Sequence, residues 1–401
     1  MEKDDETGIV VPGFLAGGIP SGIKANNEKD IALIYSEIPA VTAAVFTQNR
    51  VKAAPILVSM ERVKAQVCQA VIVNSGNANA CTGRAGLDDA YTMSKLAALD
   101  LNIDESLVLV ASTGVIGRRL PMERIYRGIP RLTESLTPYG ITSAAEAIMT
   151  TDTYPKVVLR KGSINGKEVT VCGIVKGSGM IMPNMATMLS FILTDADIEI
   201  ESLEEVFREG IKYSFNSISV DGETSTNDMA VILANGMAGN PTISLGSEGL
   251  GLFKNLLMEV LVELSRMIVK DGEGATKFVE IRVVNAERKD DAERVAFSVA
   301  NSNLVKTAFF GEDCNWGRIV SATGASGAKL DPDKVNVSFD DIMVVKNGMG
   351  MGDDIEEKAN KVLQKGEFRI IIDLNCGSKE TRVFTTDLSP EYIKINADYR
   401  S

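Results

Sequence analysis

Lys176-Gly177-Ser178-Gly179-Met180-Ile181-Met182-Pro183-Asn184-Met185-Ala186-Thr187-Met188-Leu189 lies near the middle of a chain of 401 residues. Residues 168–175 before it read as a strand, and 188–194 (MLSFILT) form a short apolar run that reads as a buried strand. Glycines, a proline and an asparagine between them supply loop chemistry. The sequence therefore leads an irregular backbone into Thr187 at the mouth of a strand. A hydroxyl is a weak nucleophile unless a base lies beside it. The usual base is histidine, and the chain has 0 histidines, which excludes a Ser-His-Asp arrangement. A remaining base is the nucleophile's own α-amine, whose reference pKa of roughly 7.7–8.0 leaves a useful neutral fraction near neutrality. To acquire that amine the chain must be cut between Ala186 and Thr187. By spacing and composition alone, Thr187 reads as an ordinary strand-start residue and the glycines as a turn.

The composition is that of a folded chain, 45% hydrophobic and 24% charged, long enough for one large or two ordinary domains. A net charge of −12 argues against nonspecific nucleic-acid binding but leaves room for a basic pocket for a small anion. No apolar run approaches the ~18 residues of a membrane span. The polar start MEKDDETG does not read as a signal peptide, so the expected compartment is the cytoplasm. The cysteines Cys68, Cys81, Cys172, Cys314 and Cys376 are odd in number, widely spaced and without a C-x-x-C pair. They read as small buried apolar residues, and no metal site is expected.

Working outward, residues 107–111 read as a buried strand emptying into Ser112-Thr113-Gly114-Val115-Ile116-Gly117. Such a turn suits an oxyanion hole: glycine lets the backbone approach, and a hydroxyl and an amide N–H both donate. Residues 70–73 lead into Asn74-Ser75-Gly76-Asn77-Ala78-Asn79, a tight loop of small polar residues, and 88–100 has helical periodicity. Thr150-Thr151-Asp152-Thr153 precedes Pro155, which stops any helix. Residues 198–214 read as a helix, and 217–229 (SISVDGETSTNDM) as a strand and a polar loop. Asp221, Glu223, Asn227 and Asp228 lack the closing Glu of a calcium loop and read as a polar network bracing a site. The longest helix is expected over 250–270, ending at Asp271-Gly272-Glu273-Gly274-Ala275-Thr276-Lys277. Residues 278–401 read as a second module of strands (278–285, 334–339, 368–374) and helices (292–302, 354–363), ending in a polar tail that carries Asn396 and Ser401.

The segment 176–189 resembles the autocleavage segment of the ornithine acetyltransferase (glutamate N-acetyltransferase, ArgJ) family. The Ser-Thr-Gly-Val-Ile-Gly, Thr-Thr-Asp-Thr, Val-Asp-Gly-Glu-Thr-Ser-Thr-Asn-Asp, Asp-Gly-Glu-Gly-Ala-Thr-Lys and Asn-Trp-Gly-Arg segments follow in family order, so the resemblance spans nearly the whole chain. It implies an α/β fold: a layered α-β-β-α sandwich core of the N-terminal-nucleophile-like type with a smaller C-terminal α/β domain, about 278–401. It implies autocleavage at Ala186-Thr187 into an α chain, 1–186, and a β chain, 187–401, that begins with the nucleophile Thr187. Thr113 and Gly114 would form the oxyanion hole, and Thr153, Lys176, Thr187, Glu273, Asn396 and Ser401 would bind substrate. The implied reaction moves an acetyl group from N2-acetylornithine to glutamate through an acetyl-threonine, in arginine biosynthesis. No cofactor and no metal are expected, and the resemblance does not decide whether acetyl-CoA also serves as donor. The expected partners are small molecules, not nucleic acid or membrane, and the assembly an α2β2 heterotetramer. The alternative is an N-terminal-nucleophile aminopeptidase or amidase, which would pass the acyl group to water.

Overall fold

The computed structural model describes residues 8–182 and 188–398. Its strands run β1 (Phe14–Ile19), β2 (Ile31–Phe46), β3 (Val67–Asn74), β4 (Val108–Ser112), β5 (Lys156–Ile164), β6 (Lys167–Lys176) and β7 (Leu189–Thr194). The two-residue β8 (Ile218–Ser219) and then β9 (Met229–Ala234) follow. All but β8 form one mixed sheet in the order β4-β3-β2-β9-β7-β6-β5, with β1 paired to β2. Helices α1 (Ala54–Arg62), α2 (Gly83–Leu101), α3 (Met122–Glu134), α4 (Ile141–Ile148), α5 (Ile200–Tyr213) and α6 (Glu248–Lys270) pack on it.

The 16-residue β2 is the joint of this unit. Its register against β3 breaks between Tyr35 and Ala40; the first half pairs with β1 and β3, and past the break Ala40 and Val41 pair with β3 while residues 41–46 pair with β9. Successive strand side chains point to opposite faces. Val71 and Val73 of β3 enter a central cluster shared with Phe191 of β7, Val231 of β9 and Ile148 of α4. Their neighbours Ala70 and Ile72 face outward onto Met93 of α2 and Ile129 of α3. Ile192 of β7 and Ile232 of β9 face outward onto Phe207 of α5 and Val260 of α6. Two β layers thus enclose one core, and helices cover both outer surfaces, the expected α-β-β-α arrangement. On α6, Phe253, Leu256, Leu257, Val260, Leu261, Leu264 and Ile268 are all buried, as their 3–4-residue spacing predicts. Each fully buried apolar side chain contributes roughly 1.5–3 kcal/mol.

The second sheet has the order β13-β12-β11-β14-β10-β15-β8. Its elements are β10 (Phe278–Ala286), α7 (Lys289–Ala300), α8 (Asn303–Phe310), α9 (Trp316–Gly324), β11 (Asn336–Phe339), β12 (Ile342–Lys346), β13 (Met349–Gly350), α10 (Asp353–Leu363), β14 (Glu367–Asp373), β15 (Lys379–Thr386) and α11 (Pro390–Asp398). The sheet has its own core, in which Val279 and Ile370 meet Val295 and Phe309. Two features tie the units together: β8 pairs with β15, and Phe278 and Phe384 pack into the cluster beneath α6. The reading of five buried cysteines needs correction. Cys68, Cys172 and Cys314 are buried, and burial pushes each thiol up to about 12. Cys81 is exposed and Cys376 half-exposed, because they lie in the loops after β3 and β14 rather than on the strands.

Candidate active site

The site forms where strand ends from both β layers meet. β3 and β4 run parallel, with Asn74 opposite Ser112, so the loops that follow them lie side by side. Asn77 bridges to Thr113, which opens the second loop. Gly114 turns there at φ +128°, and a Cβ on it would lie 2.4 Å from the Gly76 carbonyl carbon, so only glycine fits. From the other layer, β6 ends at Lys176 opposite Leu189 of β7. Asn227, just before β9, ties the layers together: its Nδ2 donates to the carbonyls of Ala78 (2.6 Å) and Ser112 (2.9 Å).

A cavity of about 70 Å³ sits at this junction, lined among others by Thr113, Gly114, Lys176, Glu273 and Asn396. The structure thus brings together five residues that the sequence singled out from segments far apart in the chain. Lys176 is 4% exposed, and its Nζ donates to Thr113 Oγ1 at 3.3 Å. That contact occupies a lone pair of the Thr113 oxygen and leaves its proton to donate elsewhere. Glu273 is held by its backbone N–H to the Ser178 carbonyl (2.9 Å), and its Oε2 accepts from Asn396 Nδ2 (2.8 Å). Asn396 is delivered by α11, so the expected polar tail is a helix reaching back to the cavity.

Thr153 does not reach the cavity. Its N–H and hydroxyl both go to the Asp271 carboxylate, and Thr150 and Thr151 line the cavity in its place. The reason is local: Asp152 turns inward, and the residues on its two sides diverge. Ala186 and Thr187, the expected cleavage pair, and Ser401 lie outside the described residues.

Sequence reading missed the ion chain behind the cavity. Lys156, at 0% exposure, joins the carboxylates of Asp152 (2.7 Å) and Asp271. Asp152 also accepts the N–H groups of Gly177 (2.7 Å) and Thr150 (3.0 Å). Burial works to raise the Asp152 carboxyl, but the ammonium groups of Lys176 and Lys156 outweigh it and bring it down to about 2. Burial lowers the Lys176 pKa; Asp152 opposes the shift, and the like charge of Lys156 adds to it. The asymmetry is physical: one carboxylate faces two cations. The pairing of Asp152 with Lys156 four residues on was a legible signal for this chain.

The expected polar network around 221–228 is present. Asp221 accepts from the N–H groups of Met180 (2.6 Å) and Ile181 (2.8 Å). Asp228, 1% exposed, accepts from Met188 N–H at 3.1 Å, and burial raises its carboxyl well above the usual range. Among the described residues no group of three or more Cys, Asp or Glu side chains is arranged to hold a metal ion, and no helix is long and apolar enough to cross a membrane.

The model of the ArgJ family matches residues 15–401. The arginine biosynthesis bifunctional protein ArgJ of Geobacter sulfurreducens is 53% identical over 391 residues, covering 98% of this chain and 100% of its own. Its namesake from Syntrophotalea carbinolica is 49% identical over 393 residues, covering 98% and 100%. A solved chain of the arginine biosynthesis bifunctional protein ArgJ from Bacillus halodurans is 49% identical and covers 45% of this chain and 95% of its own, with a TM-score of 0.42. With the family model matched from β1 to the last residue and half of all positions identical in full-length relatives, the chain belongs to the ArgJ family.

Proposed function

We propose that the chain moves the acetyl group of N2-acetylornithine to glutamate in arginine biosynthesis, and that it also accepts acetyl-CoA as donor, the second activity of a bifunctional enzyme. The observation that carries this reading is one cavity presenting an ammonium, a carboxylate and a Thr-Gly turn together: Lys176, Glu273 and Thr113-Gly114. The Lys176 ammonium suits an amino-acid carboxylate, and Glu273 suits the terminal ammonium of ornithine. The Thr113 hydroxyl and the Gly114 N–H suit the negative charge that develops on an acetyl oxygen.

Two stages follow. In maturation, Thr187 Oγ attacks the Ala186 carbonyl carbon, the peptide C–N bond breaks, and water hydrolyses the resulting ester. The products are the chains 1–186 and 187–401, which assemble as α2β2. In turnover, the new α-amine takes the Thr187 hydroxyl proton and Oγ attacks the acetyl carbonyl. The C–N bond to ornithine breaks, and the proton passes to the departing amine. The glutamate amine then attacks the acetyl-threonine ester, forms N-acetylglutamate and restores the hydroxyl. Donor and acceptor use the site in turn, so the kinetics are ping-pong. The acyl chemistry needs no cofactor, and the site of action is the cytoplasm.

Intact-mass spectrometry under denaturing conditions, joined to a product assay with acetylornithine and glutamate, tests the reading. Two chains, the heavier beginning at Thr187, and N-acetylglutamate as product are expected. A Thr187→Ala chain should stay whole and inactive; substantial turnover in that variant would remove the nucleophile assignment. Release of acetate instead of N-acetylglutamate would favour the amidase alternative.

A further inference from the structure

In a chain of net charge −12, the stretch Arg118-Arg119-Leu120-Pro121-Met122-Glu123-Arg124-Ile125-Tyr126-Arg127-Gly128-Ile129-Pro130-Arg131 holds five arginines against one acid. The structure sorts them. On α3, Ile125, Gly128, Ile129 and Leu132 are buried, so Arg124, Arg127 and Arg131 stand together on the outer face. They line a groove of about 480 Å³ together with Ser21, Pro121, Met122, Gly128 and one acid, Glu123. Gly128 shapes its floor: a Cβ there would lie 3.0 Å from Ser21 Cβ, so its absence lets α3 settle against the turn at 21–24. The arginines are little engaged. Arg127 has only a loose 3.8 Å contact with Glu123, both side chains being more than four-fifths exposed. Arg124 donates to the Gly22 carbonyl, and among the described residues Arg131 makes no ion pair.

The groove is joined to the catalytic cavity through that same turn. Asp30 pins the turn by accepting from Ser21 N–H (2.7 Å) and Lys24 N–H (2.9 Å). Beyond it, the Lys24 side chain packs against Gly76, where a Cβ would lie 3.2 Å from Lys24 Cγ, and Gly76 is the residue on which Gly114 packs. The half-buried Lys24 ammonium donates to the Lys29 carbonyl (3.0 Å); burial lowers its pKa, Glu28 and Asp30 oppose that most, and Asp152 and Lys176 act on it more weakly. A run of cations therefore leads from Arg131, Arg127 and Arg124 past Lys24 to Lys176, whose Nζ touches Thr113. Acetylornithine and glutamate are too short to use it. An acyl donor with a long flexible arm and a phosphorylated far end is not.

We propose that the α3 groove seats the phosphates of acetyl-CoA, with the pantetheine arm crossing the 21–24 turn so that the thioester reaches Thr113 and Gly114. The proposal rests on the bifunctional reading above and names the element that would serve its second donor. Arginine suits the task because its planar fork pairs with phosphate oxygens in two hydrogen bonds. In the transfer itself, Thr187 Oγ attacks the thioester carbonyl, the C–S bond breaks, and the proton goes to the departing CoA thiol. The acetyl-threonine is the same as that formed from acetylornithine.

The test compares the mature wild-type protein with Arg127→Glu/Arg131→Glu and Arg127→Gln/Arg131→Gln. CoA and 3′-dephospho-CoA binding are measured by titration calorimetry, beside the acetyl-CoA and the acetylornithine reactions with glutamate. The reversed pair should weaken CoA binding and raise the KM for acetyl-CoA by about ten-fold or more, the neutral pair by less. The acetylornithine reaction should stay within about two-fold in both, a difference of under half a kcal/mol. Unchanged CoA affinity in both variants, equal losses with both donors, or no saturable CoA binding to the wild-type protein would each overturn the proposal. Absence of acetylornithine exchange in the wild-type protein strikes the proposed function instead, because CoA binding is read separately.

Discussion

A methyl group on Gly179 would lie 2.3 Å from the Glu273 carboxyl carbon, whereas one on Gly114 would meet the backbone of Gly76 and Asn77 at 2.4 and 2.5 Å. The two glycines therefore predict different losses. Glu273 ends in a flexible chain, so Gly179→Ala should fold and push the carboxylate aside. Steady-state kinetics should show the KM for acetylornithine rising about ten-fold, the cost of one displaced charge-assisted contact, with kcat changed little. A kcat loss as large as the KM rise would mean that Glu273 acts on the reacting atoms instead. Gly114→Ala has no such relief, because backbone must move and φ +128° is closed to a side chain. It should lower the melting temperature as well as the activity. Thr113→Val keeps the shape but removes the hydroxyl, and should cost on the order of 10²–10³ in kcat. At this scale the sequence was informative where a residue meets the cavity directly, as Thr113, Gly114, Lys176, Glu273 and Asn396 do. Thr153 bonds to the Asp271 carboxylate instead, and a string of hydroxyls does not reveal which one a neighbouring carboxylate will claim.

Among the elements, buried charge decides more than packing. Lys156 on β5 joins the 150–155 loop, through Asp152, to the end of α6, through Asp271. Removing one carboxylate leaves part of a buried ammonium uncompensated. Asp271→Ala should cost about 3–5 kcal/mol in urea unfolding, and a cost under ~1 kcal/mol would show the chain to be solvated. Lys306 of α8 is a second case. It is 2% exposed, with Nζ donating to Thr385 Oγ1 at 3.3 Å and to the Thr386 carbonyl of β15. Burial lowers its pKa to about 8, against the opposing fields of Asp387 and Asp221. In the unfolded chain the ammonium keeps its proton to about pH 10.4. Between these values the unfolded state binds more protons than the native state, so the Lys306 contribution to stability rises with pH. Melting curves from pH 7.5 to 9.5 should show that rise in the wild-type protein and a flatter profile in Lys306→Met. Parallel profiles would rule it out. Pattern reading placed a helix over 292–302 but none over α8 and gave Lys306 no role, because a lone lysine in a short apolar stretch ordinarily keeps its head in water.

For the whole molecule, the joint between the two sheets matters most. β8 comes from the first unit's stretch of chain yet pairs with β15, while Phe278 and Phe384 of the second sheet stack at 5.2 Å inside the first unit's cluster. Neither unit can open without exposing apolar surface of the other. Scanning calorimetry should give one cooperative transition, and two resolved transitions would contradict the shared core. The net charge of −12 makes the arginine face of α3 a local exception, which a whole-chain charge count conceals.

The sequence by itself determined the alternation of strand and helix, the two strands that end at Lys176 and begin at Leu189, the amphipathic stripe of α6 and the residue types from which an acyl-transfer site is made. These are local properties: side-chain period, turn chemistry and the absence of histidine act over a few neighbouring residues. Only the tertiary structure decided that β2 would break its register and fold one β layer over another, and that Thr151 rather than Thr153 would face the cavity. It also decided that Lys156 would bridge two carboxylates more than a hundred residues apart. Each depends on which distant group satisfies a buried charge or covers an apolar face. That choice is set by the free energy of the assembled core, to which no local pattern has access.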